Sequence, residues 1–410
     1  LVALPGSYLH PHGRPVMTNA SFGQPTENAT GTGSATAEET ATSLRHSPLD
    51  HWHRTAGAKM VPFAGYDMPI QYSGIVAEHE ACRTRAALFD VSHMGRLKFE
   101  GDHAAEFLDH MLTRRVTDLP IGGVRYGFVC NADGGVLDDV LVSFLETPSS
   151  KRFHLLVVNA SNREKIIEWF TPHLADFPTV TMTDRTELTA MIAVQGPLAV
   201  EVCRRLFKFD PTRLKNYQAR ITDQMGKPVI ISRTGYTGED GLELIVRAEE
   251  ANRVWENVML AGRDVGFVPA GLGARDTLRM EAAMPLYGHE LDETIDPISV
   301  GLKFGCSLKD RHFIGDEALR RLVDEVPSRC RIGLLPEGKR PAREGCNVLN
   351  GDGQIVGRVT SGGPSPTLGK PIAMALVDAK FATDDNLQID IRGRATPAAV
   401  TRLPFYKRNT

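Results

Sequence analysis

The chain has 410 residues, 42% hydrophobic and 24% charged, with a formal net charge of -3. That length suits two or three domains with buried cores. A charge so near neutral argues against nucleic acid or a membrane surface as the main partner, and no run of about 18 apolar residues offers a transmembrane helix.

Residues 1–47 read as a disordered tail. They are rich in Gly, Thr, Ala, Ser and Asn, as from Asn28 to Ala37. Such a segment buries too little apolar area to offset the entropy of ordering. It lacks the apolar stretch of a secretory signal, and Glu27, Glu38 and Glu39 suit a transit peptide poorly. A cytoplasmic setting is therefore favoured over the mitochondrial matrix. The first residue is Leu, which leaves Met17 as a candidate start.

From about Pro48 the periodicity predicts short helices and strands with no regular βα repeat. A helix is predicted over Ile75 to Ala87, and alternation from Gly95 to Gly101 predicts a half-buried strand. Asp102 is placed to cap a helix through His103 to Leu112. Two apolar runs between Arg125 and Val142 flank Asn131-Ala-Asp-Gly-Gly135, a hairpin turn signal. Phe153 to Val158 reads as a strand and Arg163 to Phe170 as a helix. A second hairpin spans Val229 to Val246 around a glycine-rich tip. Helices follow over Ala251 to Gly262 and Gly271 to Met284, the latter closed by Pro285.

From about Ser328 helical periodicity fades. Short strands separated by Gly, Pro and Asp take over, such as Arg331 to Leu335, Gln354 to Thr360, Ile372 to Val377 and Leu387 to Ile391. That pattern predicts a small barrel or sandwich after a boundary near Val326. The fold class is α+β, with a main domain over 48–326 and a β domain over 327–410. The six cysteines form no C-x-x-C pair and read as small buried residues, so no metal site is expected. No phosphate loop, dinucleotide fingerprint, H-E-x-x-H or G-x-S-x-G occurs.

Three places can carry chemistry. Asp138 and Asp139 sit together in an apolar strand, where neighbours face opposite sides, so one is expected inward and the other outward. An inward carboxylate there is costly unless it is paired or used. Asp138 could also do no more than hold a nearby loop. Glu243, between Leu242 and Leu244, could accept two parallel N–H bonds from a flat heterocycle, or could be an exposed strand residue. Arg275 suits carboxylate recognition, although Arg275, Asp276 and Arg279 could equally form a surface ion-pair set.

Several strings then occur together in order. They are Lys59 to Gly65, Leu88-Phe-Asp-Val-Ser-His-Met94, Asn131 to Asp139, Val157-Val-Asn-Ala160, Ala193-Val-Gln-Gly-Pro197, Thr234 to Leu244, Gly271 to Glu281, Phe313-Ile-Gly315 and Thr360 to Gly369. In these the chain resembles the glycine cleavage T-protein family, the aminomethyltransferases, from about His51 to Lys407. The resemblance implies a folate-binding α+β domain of two subdomains followed by a C-terminal β-barrel. It implies transfer of the methylene carbon of an aminomethyl group, carried on the lipoyl arm of an H-protein, to tetrahydrofolate. The products are 5,10-methylenetetrahydrofolate, ammonia and dihydrolipoyl H-protein, with no metal.

Carried over by position, Asp138 is the expected catalytic aspartate. Glu243 is expected at the pterin edge and Arg275 at a carboxylate of the glutamyl tail. Met94, Tyr126 and Asn159 are expected to line the pterin pocket. Phe304 stands where some members have tryptophan. The chain ends at Thr410, short of a tail in which some members place a further ligand contact. The rival readings are another folate-dependent demethylase of the superfamily, which usually carries a flavin domain, and a non-catalytic folate-binding protein.

Overall fold

The computed structural model describes residues 43–325 and 327–408. Val326, where a boundary was expected, lies outside them, as do residues 1–42 of the expected tail. The last residues of that tail are placed: Arg45–His46 pair in parallel with the strand Tyr66–Gln71, and the Ser47 hydroxyl donates to buried Asp90.

Two sheets dominate the part before the barrel. One has the order Ala219–Gln224, Lys227–Ser232, Gly241–Arg247, Thr189–Gln195, Ala87–Asp90, Val268–Pro269. The other runs Val124–Cys130, Val136–Glu146, Arg152–Val158, Gly95–Glu100, Thr181–Asp184. Each carries helices on an outer face, because alternate strand residues on that side are apolar. Leu242, Leu244 and Val246 pack with Val254, Trp255 and Val258 of the helix Ala251–Ala261. Val140 and Val142 pack with Phe107, Ile166 and Phe170 of the helices Ala104–Met111 and Arg163–Phe170. The inner faces share a third core. Ile245, Met191 and Phe89 from one sheet meet Val124, Leu155 and Val157 from the other, together with Ala274 and Leu278 of the helix Leu272–Glu281.

The expected β domain is a closed six-stranded barrel, Arg329–Pro336, Lys370–Asp378, Ile355–Ser365, Asn347–Leu349, Gln388–Asp390 and Ala395–Thr401. Its interior is filled by residues such as Leu334, Val348, Val359, Ala375 and Ile389. The three residues of Asn347–Leu349 are too few to show alternation, and Ala395–Thr401 is mostly small residues with a proline. Both escaped sequence reading for those reasons.

Other boundaries differ. The helix expected over Ile75 to Ala87 stops at Thr84, and Ala87–Asp90 is a fully buried strand. A buried strand loses the alternation that marks an exposed one. Asp102 does not cap: the next helix begins after His103 with no side-chain cap bond. The helix expected to reach Met284 ends at Glu281, and Ala283 follows with φ of 53°.

The barrel is tied to the rest through Glu281. The segment Thr360 to Gly369 forms the end of one barrel strand and its turn. From it the Ser365 hydroxyl, the Thr367 amide (3.1 Å) and the Thr367 hydroxyl (2.7 Å) donate to Glu281. Arg83 adds Nε at 3.2 Å and Nη2 at 2.9 Å, and His79 Nε2 lies 3.2 Å away. Burial alone would raise the Glu281 pKa, but His79, Ser365 and Thr367 more than offset it and hold it down to about 2.

Candidate functional site between the sheets

A bulge opposite Val129 and Cys130 resets the alternation of the strand Val136–Glu146 just before the aspartate pair. From there even positions face the helices and odd positions face the other sheet, as Val140 and Leu141 show. Asp138 is therefore on the helix side and has no solvent exposure. It accepts from the Asn159 amide (3.0 Å), Asn159 Nδ2 (2.8 Å) and Asn162 Nδ2 (2.6 Å). Asn162 immediately precedes the helix Arg163–Phe170. Asp139 is on the inter-sheet side. It accepts from Asn159 Nδ2 at 2.7 Å and from the Tyr126 hydroxyl at 3.1 Å. One amide nitrogen thus holds both carboxylates. Sequence reading expected one residue inward and one outward, and marked Asp138 as the catalytic one. The face that meets the inter-sheet space belongs to Asp139.

Glu243 lies on that same space. Its strand neighbours Leu242 and Leu244 point into the helix-covered core, so Glu243 points between the sheets and is 6% exposed. The exposed alternative is excluded. With Ser232, Thr234, Val157, Met191 and Ile245 it lines a small cavity. The Thr234 hydroxyl donates to it, the single side-chain donor it has among the described residues. Burial raises its pKa, and Thr234 and the Arg275 charge oppose the rise.

Arg275 sits one turn into the helix Leu272–Glu281, its guanidinium 4.7 Å from the Tyr236 ring centre. Its Nη1 is buried without a hydrogen-bond partner among the described residues. It does not join the expected surface ion-pair set. Arg279 pairs with Asp276 at 2.9 Å but also with buried Glu290 at 3.0 Å. The Tyr236 hydroxyl donates to the Pro285 carbonyl, and burial raises its pKa. Phe304 is 60% exposed and stacks on Tyr126 with ring centres 5.9 Å apart. Met94 packs against the inter-sheet core beside Met191 and Ile245.

Burial raises the pKa of both aspartates. The neighbouring charge of Asp139 adds to the rise at Asp138, while the asparagine and tyrosine donors oppose it. The pair therefore keeps a proton at higher pH than ordinary aspartates do. Three residues of this geometry were not among those singled out from the sequence. Asp139 was seen but not chosen. Tyr236 sits in the quoted Thr234 to Leu244 string, where an aromatic among glycines was the available signal. Arg96, wholly buried, donates to the carbonyls of Ser92, Met94, Thr186 and Thr189 and so fixes the loop presenting Met94. Nothing in its local sequence pattern marks it.

A groove of about 290 Å³ on the surface, lined by Arg205, Met225, Asn257 and Leu260, touches none of these residues. Among the described residues no helix is long and apolar enough to cross a membrane.

Comparison with known proteins places the geometry. The GCVT N-terminal domain family matches residues 49–310, and the glycine cleavage T-protein C-terminal barrel domain family matches residues 329–407. An aminomethyltransferase of Streptomyces avermitilis is 44% identical over 373 residues, covering 89% of this chain and 98% of its own. One from Deinococcus deserti is 44% identical over 372 residues, covering 89% and 98%. The crystal structure of glycine cleavage system aminomethyltransferase T from Bartonella henselae superposes with a TM-score of 0.82 at 32% identity, covering 89% of this chain and 99% of that one.

Proposed function

The chain belongs to the glycine cleavage T-protein family and is an aminomethyltransferase, and on that premise we propose how its inter-sheet space performs the transfer. Tetrahydrofolate is the family's co-substrate, and the residues here suit it. Glu243 is a buried carboxylate with one side-chain donor, able to accept paired N–H bonds from a pterin edge. The unpartnered Nη1 of Arg275 suits a tail carboxylate. Met94, Tyr126 and Phe304 supply apolar and aromatic walls. A lipoyl-bearing H-protein supplies the aminomethyl group. The bacterial relatives support a cytoplasmic setting.

The transferred carbon loses its bonds to sulfur and nitrogen and gains two bonds to folate nitrogens. The two folate N–H protons leave as part of ammonia and the thiol. A carboxylate beside those nitrogens stabilises the positive charge that develops and moves a proton. We assign that role to Asp139, not Asp138. The observation that carries this is the strand alternation, which turns Asp139 toward the space shared with Glu243 and leaves Asp138 enclosed behind it. Asn159 holds the pair.

The test mixes aminomethylated H-protein with tetrahydrofolate and measures ammonia and methylene-folate. Asp139→Asn is expected to lose about 100-fold or more in turnover, the scale of one general acid/base group. Near-normal turnover in that variant returns the role to Asp138. No product from the unaltered chain would sink the transfer itself.

A further inference from the structure

An aminomethyl group carried on a lipoyl arm reaches Asp139 only if the body of its carrier rests on the face from which the arm enters. The Tyr126 hydroxyl touches Asp139 at 3.1 Å, and its ring lies against exposed Phe304. That aromatic pair leads from the surface to the carboxylate. Three separate segments meet around it, 114–125, 215–218 and 301–310. The Val124 amide donates to the Tyr217 carbonyl at 3.0 Å, and the Ala219 amide donates to the Gly122 carbonyl at 2.8 Å. Arg114 Nη1 donates to the Phe304 carbonyl, and Arg115 Nη2 donates to the carbonyls of Lys309 and Asp310 at 2.9 and 3.1 Å.

Each segment leaves one large apolar side chain exposed, Ile121, Tyr217 and Phe304. A single exposed apolar residue is ordinary, but a group of them at the mouth of a site marks a contact surface. The same segments carry six cations, Arg114, Arg115, Arg125, Lys215, Lys303 and Lys309, against two anions, Asp118 and Asp310. That is a surplus of four positive charges in a chain whose net charge is -3. Asp118 pairs with Arg125, while Arg114 and Arg115 bond to carbonyls, which leave their charge uncancelled. Lys215, Lys303 and Lys309 are exposed. Aromatic rings set among arginines and lysines are the composition of a protein interface with an acidic partner.

We infer that this face is the docking surface for the lipoyl-bearing carrier, which meets it with an acidic surface around the base of its arm. The assignment rests on the transfer proposed above. The groove lined by Met225 and Leu260 also exposes apolar groups, but it adjoins none of the site residues, so an arm anchored there has no path to Asp139. The two components of the face act differently. Charges at the rim speed encounter and are screened by salt, whereas apolar contacts slow dissociation at any salt concentration.

The test uses the full chain with aminomethylated carrier. Lys303→Glu combined with Lys309→Glu should raise KM for the carrier about tenfold or more at low salt and remove most of its salt dependence, with kcat and the Kd for tetrahydrofolate unchanged. Ile121→Ser should raise KM about three- to tenfold at low and high salt alike. Leu260→Ser, at the remote groove, should change neither. Free aminomethylated dihydrolipoamide, which has no carrier body, should react equally with the parent and all variants. An unchanged KM for the carrier in both rim variants overturns the assignment. Equal loss with free lipoamide overturns it too, since the segments would then belong to the pocket. So does a loss confined to binding of phosphatidylcholine–phosphatidylserine vesicles, which would make the face a membrane contact. Direct binding of the carrier by calorimetry separates docking from transfer. A chain that binds the carrier with salt-sensitive, rim-dependent affinity but releases no ammonia keeps the docking surface and loses the transfer. One that transfers normally whatever the rim carries keeps the transfer and loses the surface.

Discussion

Glu243 and Glu281 are both buried glutamates, and their surroundings are opposite. Glu281 takes hydrogen bonds from Ser365, Thr367 and Arg83, and its pKa is held down to about 2. Glu243 has Thr234 alone as side-chain donor, and burial pushes its pKa up. A carboxylate whose lone pairs are filled by the protein is part of the frame. One that is buried and poorly supplied bears a cost that a ligand with matching donors removes. The contrast extends to arginines: Arg83 uses its guanidinium fully at the barrel junction, while Arg275 leaves Nη1 unpartnered.

The comparison breaks most visibly at Glu281. Glu281→Ala leaves Arg83 and His79 buried without their shared acceptor, and loss of one member of a buried pair costs about 3–5 kcal/mol. Urea unfolding should show a loss of that order, and a loss within error would remove the junction from the frame. The pH dependence follows from the sign. The folded pKa lies below the usual glutamate value, so the stabilisation is fully present above that value and is lost as pH falls through about 2. The chain should lose stability over that acidic window, and Glu281→Gln should flatten the curve there.

At the other pole, Asp139→Asn should cost about 100-fold in turnover, close to 3 kcal/mol of barrier, with unfolding free energy little changed. Equal loss of stability would mean that the pair is frame and not site. Glu243→Gln comes next. It should weaken folate binding by calorimetry about 10- to 100-fold, the range of a hydrogen bond to a charged group. Because the Glu243 pKa is raised, its contribution to stability is present at low pH and lost as pH rises through the folded value. The variant should therefore be no less stable than the parent at neutral pH. A marked loss would place Glu243 with Glu281.

How far the sequence revealed these two regions follows from the same physics. Both hairpins, the helix Arg163–Phe170 and four of the six barrel strands carried periodicity and turn signals and were legible. Glu243 was visible as a carboxylate between leucines, but its burial depended on which face of the strand another sheet would cover. Asp138 and Asp139 were visible as a pair, but which of them faces the inter-sheet space is set by a bulge just before them, which no local pattern announces. The Thr360 to Gly369 string was recognisable as a signature, yet its task of filling Glu281 joins residues 84 apart in the chain. Pairings of that separation are fixed by topology and not by local propensity.

The smallest expected effect is the sharpest test of the contrast between filled and unfilled groups. Arg275→Lys keeps the charge and loses the planar fork, so a bidentate contact with a tail carboxylate becomes a single one. The cost should be about 1 kcal/mol, a five- to tenfold rise in Kd for tetrahydrofolate. A pterin fragment without the glutamyl tail should bind the variant and the parent equally, because the pterin edge is left to Glu243. Equal weakening for fragment and whole ligand would show that Arg275 acts by supporting Glu243, whose charge it feels, and its unpartnered nitrogen would then belong to the frame. No weakening of either would leave Arg275 held by the Tyr236 ring alone.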